Sequence, residues 1–347
     1  SARRSFFEAY FALLRAVGLF SDQFVGMAFG DYLVRVTATS PEGRHRLRVT
    51  GLHTHDNMEL NGEPGDGGLF TLEQGLSTRT RTTLVSADWR FALAERLAWR
   101  NLLYFTHDYE DRLQDADFEV SRRVTTHRPG LRSDLEIEVQ DEHFVRAGVD
   151  LAYLSFGGDG TIKDPRTTPT WAALPWADLG ASSLSFQSNR AWTELAIYLE
   201  DDWRGIFGLP IHARSGLRVT PLHATGEVLV SPRMALAVPL PTATTFKASW
   251  ALVHQPLRDP LHLDPGIGAD ELRAARALHL STGLEQLLPF GALIRIEAYH
   301  KVLDRLLVNP DSEAGLREGP SYASIGTGTA SGVDAFIALR KGRVSLA

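Results

Sequence analysis

The sequence predicts an all-β protein: an antiparallel up-and-down transmembrane β-barrel, seen in part, with roughly 14–16 strands of a larger barrel by the alternation rule. Three observations predict it. The first is alternation. Leu131, Leu135, Ile137 and Val139, with Ser133 among them, interleave with Arg132, Asp134, Glu136, Glu138 and Gln140. Successive strand side chains point to opposite faces, so this is a two-faced ribbon. The second is repetition of such ribbons along the chain, each about as long as a tilted strand needs to cross a bilayer. The third is an alternation of short and long Gly-, Pro- and Asp-rich connections, the habit of barrels with tight turns at one end and long loops at the other.

In chain order, Leu47, Val49 and Gly51 oppose Arg46, Arg48 and Thr50, and a Thr- and Arg-rich β-prone run covers 77–87. Ala147, Val149, Leu151 and Tyr153 oppose Arg146, Gly148, Asp150 and Ala152. Thr193, Leu195, Ile197 and Leu199 oppose Glu194, Ala196, Tyr198 and Glu200. Further ribbons are read at 246–252, 275–285, 294–301 and 333–340. Short turns are expected at Ser40-Pro41-Glu42-Gly43, Arg128-Pro129-Gly130 and Pro239-Leu240-Pro241, and long loops at 57–68, 157–189, 256–270 and 309–320. The apolar stretch 6–20, interrupted by Glu8 and Arg15, suits an amphipathic helix or a strand. Trp89, Trp99, Tyr104, Phe105, Trp192, Trp203 and Trp250 lie near strand ends, where interfacial aromatic girdles belong. No compositional break marks a second domain, so residues 1–347 read as one barrel domain.

Composition narrows the function. A net charge of −6 argues against a nucleic-acid partner. Without cysteine there is neither a disulfide framework nor a thiolate metal site. No run of 18 apolar residues is present, so a membrane reading means a barrel, the other structure that satisfies its backbone in lipid. No signal peptide is recognised, and a chain trimmed at both ends is expected.

No motif carries catalysis, and a non-enzyme without a cofactor is expected. His53-Thr54-His55 places two imidazoles on one strand face, but without a third ligand no metal site is assigned. The Gly-rich run 63–68 lacks the Lys-Ser/Thr of a phosphate loop, and Gly326-Thr327-Gly328 precedes no dinucleotide-binding helix. Asp108, Asp111, Asp115 and Asp117 lack calcium-loop spacing. The lumen wall is expected to include Glu136, Glu138, Glu194, Tyr198, Arg295, Glu297 and Lys301, and the sequence singles out no ligand-binding residue among them. Leu135 should face lipid and Glu136 the lumen, so that Arg at 135 costs about 2–4 kcal/mol if that residue lies near the midplane, and Arg at 136 little.

A series of motifs runs in order through the C-terminal half: Val230-Ser231-Pro232-Arg233, Thr244–Trp250, His254-Gln255-Pro256, Glu271–Leu284, Glu297–Asp304 with its Tyr299-His300-Lys301, and Gly326–Asp334. Upstream, Tyr198–Trp203 completes the set. Together they resemble the barrel of TonB-dependent outer-membrane receptors, whose pattern reads the Ser-Pro-Arg as a turn. The resemblance implies uptake of a scarce large ligand (an iron chelate, cobalamin or an oligosaccharide) across the cell outer membrane. It implies outer-membrane lipids and TonB as partners, TonB acting through an N-terminal segment not recognised here. That family also has a plug domain and a barrel of 22 strands; neither the plug nor a terminal aromatic is recognised. The alternatives are a soluble or surface β-sandwich or barrel binding module, and a porin-like passive channel.

Overall fold

A computed structural model of the chain describes residues 2–4, 26–60, 76–114, 120–163, 183–223, 225–258, 272–308, 322–341 and 344–346. The apolar stretch 6–20, the Gly-rich run 63–68, Asp115 and Asp117 lie outside them. Fifteen strands follow one another: β1 (Ala2–Arg4), β2 (Gly26–Thr39), β3 (His45–Leu60), β4 (Leu76–Ala94), β5 (Leu97–Gln114) and β6 (Val120–Gln140). Then come β7 (His143–Lys163), β8 (Ser183–Arg204), β9 (His212–Leu222), β10 (Glu227–Leu240) and β11 (Thr244–Gln255). β12 (Ala275–Leu287), β13 (Ala292–Val308), β14 (Ala323–Lys341) and β15 (Val344–Leu346) complete the series. All pair antiparallel in sequence order within one sheet. Thirteen run 11 to 22 residues; the first and last have three. Among the described residues β15 does not bond back to β1, so the sheet is an open wall.

The connections alternate as expected, from the two-residue turns 95–96 and 141–142 at one end to the long intervals 61–75 and 164–182 at the other. Several strands outrun their ribbons: β3 continues to Leu60, while β7 and β8 together leave only 164–182 of the expected loop 157–189. Two expected turns are not turns. Arg128-Pro129-Gly130 lies inside β6, and Ser231-Pro232-Arg233 inside β10. Proline lacks the N–H a ladder needs, which is why it reads as a breaker. Here the β6–β7 ladder skips positions 128 and 129 and resumes at Gly130↔Ala152 in the register it left at His127↔Ser155. Pro232 sits one rung before the β10–β11 ladder begins at Arg233↔Ala251.

The register stacks residues into rows on the outward face. One row, Val36, Val49, Ala87, Leu103, Leu131, Leu151 and Leu195, is apolar across seven strands. Its members stay solvent-accessible, Leu103 at 58% and Val36 at 61%. Toward the short turns lies the row His45, Phe91, Trp99 and Leu135. His45 stacks on Phe91 at 4.5 Å between ring centres, and Trp89 packs beside both Phe91 and Trp99. Toward the long loops lies the row His55, Arg81, Tyr109 and Thr125. From Trp99 to Tyr109 the strand climbs about 26 Å at roughly 3.4 Å per residue and a tilt of about 40°, close to the apolar band of an outer-membrane barrel. Trp89, Trp99, Phe105 and Trp203 face outward as expected. Tyr104 and Trp192 do not: Tyr104 points inward to Asp150 and Trp192 packs edge-on against buried Phe156 at 5.0 Å. Neighbouring Tyr104 and Phe105 must face opposite sides, so both could not join one girdle.

Candidate functional site: the charged inner wall

The inward face carries the polar side chains, crowded into cross-strand networks. On β6, Glu136 is 7% exposed and Leu135 37%, the two-faced ribbon expected of them. Glu136 accepts from Arg90 of β4 at 3.1 Å and from Arg146 of β7 at 3.2 Å. Arg146 also reaches Glu200 of β8 at 3.5 Å, and Glu200 accepts from Arg233 of β10. One ladder of alternating charge thus crosses from β4 to β10. Beside it, Arg100 forks onto both carboxylate oxygens of Asp88 at 2.8 Å each. A planar guanidinium meeting a carboxylate in this way fixes geometry as well as charge.

A second cluster surrounds Tyr198. Its hydroxyl donates to buried Asp134 and accepts from Arg132 Nε at 2.7 Å. Arg132 lies 4.8 Å from the ring centre and Arg218 5.7 Å, both within cation–π range. The ring is bedded on Gly148: a Cβ there would collide with the Tyr198 ring and the Asp134 carboxylate. Tyr104 over Gly130 and Tyr299 over Gly332 repeat the device. An aromatic laid over a cross-strand glycine covers backbone that a small residue leaves bare, and pins the register.

The third cluster closes over Glu194. Arg128 of β6 donates to it at 3.2 Å, and Arg258, beyond the end of β11, forks onto both oxygens at 2.9 Å. On β13 a bulge between Leu303 and Leu306 leaves Arg305 with a positive φ of 55° and aims it at Glu227 of β10, 3.1 Å away. Strands three apart lie about 14 Å from each other in a flat sheet. A direct contact between β13 and β10 therefore requires the wall to curl, with its charged face concave.

Arg128, Arg132, Asp150, Glu194, Tyr198 and Arg218 line a recess of about 690 Å³ on that concave face. Buried Arg128 Nε and Arg146 Nε find no acceptor among the described residues. Of the expected wall residues, Glu136, Glu194 and Tyr198 are buried in the networks. Arg295 pairs with Glu285, Glu297 stands opposite Asp334, and Lys301 lies over the Tyr299 ring; these and exposed Glu138 belong to more open parts of the face. Sequence reasoning left out Arg218, Arg233, Arg258 and Arg305 as wall residues, because their carboxylate partners lie on other strands, 33 to 78 residues away. The expectation that Arg at 136 costs little took no account of the two guanidinium groups between which Glu136 sits, so a larger cost is now expected. His53 and His55 share the outward face as expected and stack against Tyr32. Among the described residues no group of three or more metal-ligating side chains converges.

No protein-family model matches the sequence, and no curated protein does. Solved structures do match. One is the copper transporter OprC, at 12% identity and a TM-score of 0.62, over 91% of this chain and 51% of that one. Another is the FrpB iron transporter from Neisseria meningitidis (F3-3 variant), at 15% identity and 0.62, over 92% of this chain and 51% of that one. A third is the outer membrane transporter YddB from Escherichia coli, at 12% identity and 0.60, over 91% and 45%. The chain spans about half the length of these structures. The likeness shows the fold: an open antiparallel wall like part of the barrel of these transporters.

Proposed function

We propose that the chain forms the greater part of the wall of an outer-membrane transporter that takes up a scarce large ligand with energy delivered by TonB. One observation carries the reading: a curled antiparallel wall with an apolar belt outside and cross-linked charge inside, superposable on such transporters over nine-tenths of its length. A wall of this kind is stable only with lipid on one side and water or a polar plug on the other. The Glu136 and Tyr198 networks would hold a rigid concave surface, and the recess lined by Arg128, Arg132 and Arg218 would meet a plug or ligand. Among the ligands the resemblance implies, a metal-bearing one is favoured, because neighbouring folds include a copper transporter, an iron transporter and a siderophore receptor. No catalytic step is invoked.

The test is uptake by cells producing the complete protein, with and without TonB, offered ferric chelates, haem, copper and cobalamin. Accumulation of one of these that stops without TonB is expected. Uptake that persists unchanged without TonB and scales only with solute size would instead identify a passive channel. A protein that stays folded and monomeric without detergent would support the soluble binding module and reject both membrane readings.

A further inference from the structure

The outward face at the long-loop end carries a patch that the transport reading leaves unused. Above the apolar belt, register places Tyr32, His53, Thr83, His107 and His127 in one row. His55, Arg81 and Tyr109 form the next, and Asn57, Arg79, Asp111, Arg123 and Asp159 the one beyond. His107 and His127 are hydrogen-bonded through their Nδ1 atoms at 3.2 Å, and His53 Nδ1 meets Thr83 Oγ1 at 2.9 Å. Asp111 is engaged by Arg123 at 3.7 Å and accepts from the Tyr109 hydroxyl at 3.1 Å. Asp56 and Asp108 occupy inward positions of their strands. Exposed Arg81 lies over the Tyr109 ring at 5.9 Å, and among the described residues neither Arg79 nor Arg81 pairs with a carboxylate.

We infer that this patch binds the phosphate of a phosphomonoester lipid headgroup in the adjoining leaflet. The inference rests on the membrane-barrel reading above. Position supplies half the argument: the Tyr109 row stands about one hydrocarbon thickness above the Trp99 row, at the level where headgroup phosphates meet a barrel. Charge supplies the rest. Arg81 and Arg79, on adjoining rows, face outward beside imidazoles and a phenol without a carboxylate contact among the described residues, and Asp111, which stands opposite Arg79, is taken up by Arg123 and the Tyr109 hydroxyl. Arg forks match phosphate oxygens.

The probes are phosphatidic acid and diacylglycerol, which differ by the phosphate alone, offered to the complete protein in mixed micelles. Retained lipid is read by native mass spectrometry. The wild type should retain phosphatidic acid and shed diacylglycerol. The double variant Arg79→Gln/Arg81→Gln should lose roughly thirtyfold in retention, the effect of removing two basic groups from an anionic surface. Arg44→Gln/Arg96→Gln, the same charge change at the short-turn end, should change nothing. Equal retention by both double variants, equal retention of diacylglycerol, or displacement by inorganic phosphate or zinc at similar concentration would overturn the site. A heat-dependent gel shift checks that each variant is folded. A protein that never enters micelles rejects the barrel reading and the lipid site with it; one that enters and keeps no phosphatidic acid rejects the lipid site alone.

Discussion

Two arcs of the same inner wall use charge differently. From β4 to β8 three carboxylates are buried: Glu136, Glu194 and Asp134 have side chains 8%, 9% and 4% exposed, each in contact with one or two guanidinium groups. From β11 to β13 the corresponding network is Lys247, Glu285 and Arg295, with contacts of 2.8 and 2.9 Å but exposures of 46%, 24% and 47%. The distances are alike, so contact geometry does not separate the arcs. Burial does. The first arc is built of strands of 18 to 22 residues and buries Phe156, Leu154 and Phe186 on its inner face; the second has strands of 12 to 17 residues and little apolar cover within. Taking ions from water is costly, and a buried ion left without its partner keeps that cost without the attraction that offset it. The first arc is therefore the rigid part of the wall and the part most easily broken.

Glu136→Arg should show the largest effect. It removes the carboxylate that Arg90 and Arg146 share and sets a third guanidinium between them, an expected loss of roughly 3–5 kcal/mol for a broken buried pair. Glu285→Arg, the same change in the open arc, should cost about 1 kcal/mol or less. Urea titrations of the complete protein in detergent, followed by the heat-dependent gel shift, compare the two. Equal losses would mean that burial does not distinguish the arcs.

The outer face should show no such difference. Leu103 on β5 and Leu280 on β12 are both exposed and lie six or seven residues in from the short-turn end of their strands. Arg at either should cost about 2–4 kcal/mol near the midplane of the belt, whereas Leu135→Arg, level with Trp99, should cost roughly 0–1 kcal/mol at the interface. This moves the sequence expectation for Leu135 to its proper depth: alternation says which face a residue takes, and only the register with Trp99 says how deep it sits. A Leu280→Arg variant as stable as wild type beside a crippled Leu103→Arg would confine the lipid belt to the first arc.

Gly148→Val is expected to be milder. It pushes Tyr198 off its bed and loosens the Asp134 and Arg132 contacts, costing about 1–3 kcal/mol as overpacking does. Tyr198→Phe, which keeps the ring and loses the hydroxyl, separates packing from hydrogen bonding.

Strand faces were legible because period-2 alternation is local: Leu131 against Arg132, or Ile296 against Glu297, needs no knowledge of neighbours. What was not legible is what depends on curvature and register. Pro129 and Pro232 looked like turn residues because a proline's fit in a strand depends on whether the adjoining ladder needs its N–H there. Tyr104 and Trp192 were placed with the girdle by residue type, while parity puts them inside. Arg305 meets Glu227 across 78 residues, and only through a bulge that resets its direction. The recess inherits this: the parity of Glu194 and Tyr198 could be read, but Arg218 became the neighbour of Tyr198 only through the β8–β9 register, and Arg258 reaches Glu194 from beyond the end of β11.

The smallest expected effect is the most specific test of the comparison. Glu285→Gln keeps the size of the side chain and one oxygen able to accept from Lys247, now at 2.8 Å, and Arg295, now at 3.0 Å, while it removes the charge. Both cations are nearly half exposed, so water can replace the lost attraction, and exposed pairs contribute roughly 0.2–1 kcal/mol. Such a pair is also screened by salt, with a Debye length near 8 Å at physiological ionic strength. The wild type and Glu285→Gln should therefore converge in stability as sodium chloride is raised, while wild type and Glu136→Gln should stay apart, because the Glu136 carboxylate is shielded from the solution. Convergence in both arcs would show that the buried ladder is as wet as the open one, and the division of the wall into a rigid and a compliant arc would fall.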